Sequence, residues 1–178
     1  MTEEVRIATR EDAEEIIRLL NLMHAENAMM PLDEDCAHEF FDRAFSKKGG
    51  IIGVIGETGN IRAMIYLLIS RFWYTKDNHL EECFNFVRPD QRKSNCAQQL
   101  IAFAKECSDK CKLPLLIGVL TNQRMEGKVR LYRRALGYPA GAFFVYGANW
   151  TEAEPSNEDF WKTPFPNRPK RQQRAIGR

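Results

Sequence analysis

Between Leu80 and Ser108 the chain changes its periodicity once, and that change limits what it can fold into. Cys83, Phe84, Phe86 and Val87 favour an extended segment, and Pro89 ends it. From Asn95 the apolar positions Cys96, Ala97, Leu100, Ile101, Phe103 and Ala104 recur at helical spacing. The stretch therefore reads as strand, polar turn, helix. Arg92, Lys93 and Ser94 fall just before the first helical turn, where backbone N–H groups without intrahelical partners and the positive end of the helix dipole attract anions. Such a turn can hold a phosphate. An ordinary strand-to-helix junction with a solvated basic turn is the plainer alternative.

The segments on either side continue the alternation of strands and helices. Val5 to Ala8 alternates as a short strand, and Thr9 or Asp12 can cap a helix striped by Ala13, Ile16, Ile17, Leu19, Leu20 and Met23. After Pro31, Asp33 can cap a second helix whose stripe is Cys36, Ala37, Phe40, Phe41, Ala44 and Phe45, closed by Lys47-Lys48-Gly49-Gly50. Ile51 to Ile55 and Ile61 to Phe72 are β-rich, and Glu57-Thr58-Gly59-Asn60 between them suits a hairpin turn. Leu113 to Leu120 reads as a buried parallel strand entered through Pro114. Val129, Leu131, Tyr132 and Ala135 suit a helix stopped at Gly137, and Ala142 to Tyr146 a last strand.

Composition removes several classes of function. No stretch approaches the roughly 20 apolar residues of a membrane span, and the acidic start Met1-Thr2-Glu3-Glu4 lacks the pattern of a signal peptide, so the expectation is a cytoplasmic protein without a membrane partner. The five cysteines are odd in number and show no Cys-x-x-Cys pair, and the three histidines match no metal spacing. Reduced structural thiols and no metal are expected. The net charge of +2 hides a tail from Lys162 to Arg178 with six cations and no acid, without which the rest of the chain carries −4. A mildly acidic body does not offer nucleic acid a broad basic face, which leaves only the tail for such a role.

Val87-Arg88-Pro89, followed by Arg92 and closed by Ala97, resembles the strand end and coenzyme loop of the GNAT superfamily of acyl-CoA-dependent N-acyltransferases. Asn95 stands where that family has its first loop glycine, and Asn is the other residue that best tolerates a left-handed backbone. The order of elements over about 140 residues is also the GNAT order. A second signature lies in Leu131-Tyr132-Arg133-Arg134-Ala135-Leu136-Gly137-Tyr138, similar to the family's Leu-Tyr ending with one residue more before the glycine. The resemblance implies an α/β (α+β) single-domain fold, with a mixed central sheet of about six or seven strands flanked by about four helices. It would fill residues 1–150 and leave residues 151–178 as a basic extension.

The same resemblance implies acetyl-CoA as co-substrate, held at Phe86 and Val87 and by Arg92, Lys93, Ser94, Asn95, Cys96 and Ala97. It implies Tyr132 as the acid that protonates the departing thiolate, and a base on the central strand. Glu81 and Glu82 lie on opposite faces by the period of two, and Glu82, sharing the face of Phe84 and Phe86, is the preferred candidate. Glu26, after the first helix, and Trp73, in the polar-aromatic loop from Phe72 to Asn78, are candidates for contact with an amine acceptor. A solvated Glu26 and a packing role for Tyr132 stand as the alternatives. Three functions compete: an N-acyltransferase, most simply an N-acetyltransferase for a primary amine; a GNAT-fold interaction protein; and a nucleic-acid-associated protein using the tail. A homodimer is compatible with each.

Overall fold

The computed structural model describes residues 4–27, 30–121 and 124–143. The extension 151–178 and most of the expected last strand lie outside them. Five strands are described: β1 (Arg6–Ile7), β2 (Gly50–Ile55), β3 (Ala63–Arg71), β4 (Asn78–Val87) and β5 (Leu115–Leu116). Four helices accompany them: α1 (Ala13–Asn27), α2 (Glu34–Phe45), α3 (Cys96–Cys111) and α4 (Met125–Leu136). The strands form one sheet in sequence order, antiparallel from β1 to β4 and parallel between β4 and β5. This is the expected mixed sheet with four helices, with fewer strands among the described residues than the six or seven anticipated.

The period of two on β3 divides the core between the two faces of the sheet. Met64 and Tyr66 point to one face, where they meet Ile16 and Leu19 of α1 and Phe41 of α2. Ala63, Ile65 and Leu67 point to the other, against Leu100 and Ala104 of α3. All five of these β3 residues are fully buried. Gly53 belongs to the α3 face for a steric reason, since a Cβ there would lie 2.6 Å from the Phe103 ring. The helix packs directly on the strand backbone at that point.

Caps and a half-buried ion pair fix the α1 and α2 side. Asp33 Oδ1 accepts the Cys36 N–H at 3.0 Å, the expected N-cap of α2. Asp12 is fully buried, and its carboxylate accepts both terminal nitrogens of Arg6 at 2.7 and 2.8 Å, the Thr9 N–H at 2.9 Å and the Thr58 hydroxyl at 3.0 Å. These bonds, that from Arg6 foremost, hold its pKa down at about 2. The hydroxyl of Thr58 comes from the β2–β3 turn, so Asp12 ties the start of α1 to β1 and to that turn. Sequence patterning offers Asp12 only as a helix cap.

The fifth strand is much shorter than the expected Leu113 to Leu120. Pro114 C=O accepts the Leu80 N–H at 2.8 Å, Leu115 and Leu116 pair with Leu80 and Glu81, and there the ladder ends. Beyond Glu81 the open edge of β4 has no strand beside it among the described residues. At Gly118 the backbone N–H turns instead to the carboxylate of Glu82, 3.3 Å away.

Candidate active site

A cleft of about 250 Å³ lies along that open edge, between the second half of β4, the start of α3 and one face of α4. Its walls carry Val87, Ala97, Ile101 and Leu131 as apolar surface, with Asn85, Tyr132, Lys128 and the Glu26–Arg92 pair as polar groups. An apolar cleft with a few convergent polar groups is the usual form of a small-molecule site.

A β-bulge in β4 sets what faces this cleft. Phe84 pairs with Tyr66 and Glu82 with Leu67, so Cys83 is an extra residue with no partner of its own on β3. Below the bulge Leu80 packs on the α3 face, and two residues later Glu82 follows it. Above it the parity is reversed: Phe84 and Phe86 turn to the α1 and α2 face, while Asn85 and Val87 join Glu82 on the α3 and α4 side. The expectation that Glu82 shares the face of Phe84 and Phe86 is therefore corrected, since strict alternation cannot foresee a bulge. Glu82 is thus the carboxylate on this side of the strand, whereas Glu81 is half-exposed and lies 3.7 Å from His79.

The reversal puts three groups in one hydrogen-bonded chain. The side-chain amide of Asn85 donates to Glu82 Oε1 at 2.8 Å and to the Tyr132 hydroxyl oxygen. Burial raises the Glu82 pKa to about 7, against the opposing pull of the Gly118 N–H, Lys128 and Asn85. Tyr132 is pushed above the usual tyrosine range by burial and by the nearby Glu82 carboxylate. At neutral pH this is a carboxyl poised between its two forms beside a phenol that keeps its proton. Because the Tyr132 oxygen accepts from Asn85, its own O–H remains available to a ligand in the cleft. The extra residue between Tyr132 and Gly137 does not turn the ring into the core.

The β3–β4 ladder also decides which backbone groups the cleft receives. Arg88 N–H donates to Arg62 C=O at 2.9 Å, so the antiparallel alternation gives the Phe86 N–H to Met64 and turns those of Val87 and Asn85 to the open side. The Val87 C=O, which points the same way, accepts Arg92 Nε at 3.2 Å. Of the two expected backbone contacts, Val87 is placed for the cleft. Phe86 offers its ring, buried to 4% exposure, beneath the Arg92 guanidinium at 5.6 Å.

The loop residues separate in the same manner. Ser94 and Ala97 line the cleft, whereas Lys93 and Asn95 are exposed and the Cys96 side chain is buried in the α3 core. Asn95 has φ of −89°, so the left-handed conformation anticipated for it is not used. Ser94 Oγ accepts the Cys96 N–H at 3.3 Å and donates to Gln91 C=O at 2.6 Å, shaping the turn without a glycine. The first-turn N–H groups of α3 stand at the mouth of the cleft, and by helix geometry they have no intrahelical acceptor.

Two candidates assigned to different tasks meet each other. Arg92 Nη2 binds both carboxylate oxygens of Glu26, at 2.6 and 2.5 Å, across the cleft from loop to α1. Each side chain keeps only about a quarter or less of its surface exposed. Trp73 is not brought to the cleft: it is 95% exposed in the β3–β4 connection, at the opposite end of β4 from Val87. Sequence reasoning missed Asn85 and gave Lys128 no role. A strand-averse Asn amid Phe84, Phe86 and Val87 was the available signal for the first.

Among the described residues no group of His, Cys, Asp and Glu could hold a metal ion, and no helix is long and apolar enough to cross a membrane. No protein-family model and no curated protein matches the chain. Solved structures do. AAC(6')-Iy in complex with a bisubstrate analogue, CoA-S-monomethyl-acetylneamine, superposes with a TM-score of 0.65 at 11% identity, over 83% of this chain and 98% of that one. A ribosomal-protein-alanine N-acetyltransferase from Brucella melitensis gives 0.62 at 14% identity, over 83% and 98%. A GNAT family acetyltransferase from Staphylococcus aureus gives 0.55 at 12% identity, over 82% and 99%.

Proposed function

We propose that this chain, which has the GNAT acetyltransferase fold, transfers an acyl group, most simply acetyl, from acyl-CoA to a primary amine. The observation that carries this reading is the Asn85 amide bridging the Glu82 carboxylate and the Tyr132 hydroxyl at the open edge of β4. Acyl transfer to an amine needs a group to take a proton, one to give a proton, and a donor for the carbonyl oxygen. Glu82, Tyr132 and the open-edge N–H groups supply each of the three.

In this mechanism the pantetheine arm lies in the cleft against Val87, Ala97, Ile101 and Leu131, with the pyrophosphate at the α3 N-terminus. One of the open-edge N–H groups, that of Asn85 or that of Val87, donates to the thioester carbonyl oxygen, since two groups about 6.6 Å apart along a strand edge cannot share one oxygen. Glu82 takes a proton from the acceptor ammonium, directly or through water, and the freed amine attacks the carbonyl carbon. A C–N bond forms, the C–S bond breaks, and the Tyr132 O–H protonates the thiolate as it leaves; the surplus proton on the new amide nitrogen returns to the Tyr132 phenolate through water, and Glu82 releases its proton to solvent. The amide of Asn85 holds acid and base in one frame, which saves the entropy of assembling them during reaction.

A second reading, an interaction protein on the same fold, is favoured by one observation: Glu26 neutralises the Arg92 charge that a coenzyme phosphate would use. Mixing the protein with acetyl-CoA and a panel of primary amines, while following release of the free thiol, separates the two. Amine-dependent thiol release is the expected result. Stabilisation by acetyl-CoA without release under any amine would leave binding alone, and neither effect would favour the interaction protein.

A further inference from the structure

α4 presents two polar side chains to the cleft one helical turn apart, Tyr132 and Lys128. The first has a task in the reading above; the second has none. Among the described residues the Lys128 ammonium makes one hydrogen bond, to Thr121 Oγ1 at 3.0 Å, and forms no ion pair. Thr121, itself buried, donates to Asn27 Oδ1 at 2.6 Å, so the lysine is anchored through a neutral hydroxyl to the end of α1. Burial and the neighbouring Arg92 push the Lys128 pKa below the ordinary lysine range. Of the other charged groups around it, Glu26 is committed to Arg92, Glu82 to Asn85 and the Gly118 N–H, and Arg124 adds a further cation to the lining.

An ammonium has three donors, and this one uses a single one among the described residues. Keeping a partly buried cation without an anionic partner is costly, and a ligand that brings the anion offsets that cost. The coenzyme phosphates have their own place at the start of α3, outside the turn that carries Lys128 and Tyr132. We propose that Lys128 Nζ recognises a carboxylate on one of the two reactants, carried either by the acyl chain or by the acceptor amine and bound within one helical turn of Tyr132. This inference rests on the acyl-transfer reading and names the substrate class for it.

The test compares the full chain with its Lys128→Met variant, which keeps side-chain length and removes the charge. In the donor arm acetyl-CoA is set against succinyl-CoA by thermal shift and thiol release. In the acceptor arm amino acids are set against their carboxamides with acetyl-CoA as donor. Wild type should favour the carboxylate member of one pair by about tenfold or more, the ordinary worth of a hydrogen bond to a charged group. Lys128→Met should bring that member down to the level of its neutral counterpart, and the arm that responds identifies the carrier. Equal treatment of both members in both arms overturns the proposal, as does a loss in Lys128→Met that is uniform across all four ligand classes. If acetyl-CoA stabilises the protein but no discrimination appears, this inference alone fails. If no CoA thioester has any effect, the acyl-transfer reading fails with it.

Discussion

The two edges of β4 are built on opposite principles. Toward β3 the ladder runs from Ala63 opposite Val87 to Arg71 opposite Asn78, interrupted only by the bulge, and β3 is buried on both faces in its first half. Toward β5 pairing ends after two residues, and α4 beyond it contains no fully buried side chain. One edge carries stability, and the other gives it up for a cleft lined by backbone and side-chain polar groups. The bulge at Cys83 joins the two, because it costs the β3 ladder one residue and delivers Asn85 to the same face as Glu82. If this division is right, substitutions on the two sides should fail in different observables, melting temperature on one and turnover on the other.

The largest separation is expected at Tyr132. Positioned general acids are worth about 10²–10⁴-fold, or roughly 3–5 kcal/mol of barrier, so Tyr132→Phe should slow thiol release by that order. Its melting temperature should stay close to the wild-type value, since the ring and its packing remain. A variant with reduced stability and undiminished kcat would move Tyr132 to the structural side of the comparison.

Asp12 should show the converse. Arg6 keeps 35% of its side chain exposed and can be rehydrated, but Asp12→Ala would leave the Thr9 N–H and the Thr58 hydroxyl without their acceptor, a loss of about 1–3 kcal/mol. Denaturant unfolding should register that loss while kcat per folded molecule changes little. The sign with pH follows from the depressed carboxyl: the stabilisation is complete above the ordinary Asp value of 3.8. It is lost as pH falls through about 2. An Asp12→Ala variant unfolding at the wild-type denaturant midpoint at neutral pH would remove Asp12 from the frame.

The contrast between the edges also explains how much could be read beforehand. The frame was legible because it obeys simple periods: the alternation on β3, the stripe of Ile16, Leu19 and Leu20 on α1, and the cap at Asp33 all follow from local spacing. So was Tyr132, whose place follows from a helix of ordinary length. What was not legible depends on partners distant in sequence. Lys128 needs Thr121 and Asn27, Arg92 needs Glu26, and Asn85 reaches Glu82 only because a bulge reverses the strand's parity. The length of β5 belongs here too, for an apolar run over residues 113–120 says nothing about where a neighbouring strand diverges.

Glu82 offers a smaller and sharper probe, because it stands on both sides of the division. Its pKa is raised from the ordinary carboxyl value of 4.5 to about 7, so between these limits the folded state holds more protons than the unfolded one, and stability falls as pH rises through that window. Glu82→Gln removes this dependence. Its melting temperature relative to wild type should therefore climb across that window, while wild-type turnover rises toward a plateau above about pH 7. Parallel melting curves for the two proteins across that range would mean that Glu82 is solvated and unsuited to the role of base.

The most direct measurement is a thermal-shift titration with acetyl-CoA, made in parallel on wild type and on Ala97→Trp, in which an indole would fill the cleft at the start of α3. A ligand bound only by the native state stabilises it by about 2.7 kcal/mol at a concentration a hundredfold above Kd, so the wild-type melting temperature should rise steadily with concentration. Ala97→Trp, folded at low temperature, should show little or no rise. A flat wild-type titration, or an equal rise in both proteins, would contradict the placement of acyl-CoA in the cleft between β4 and α4.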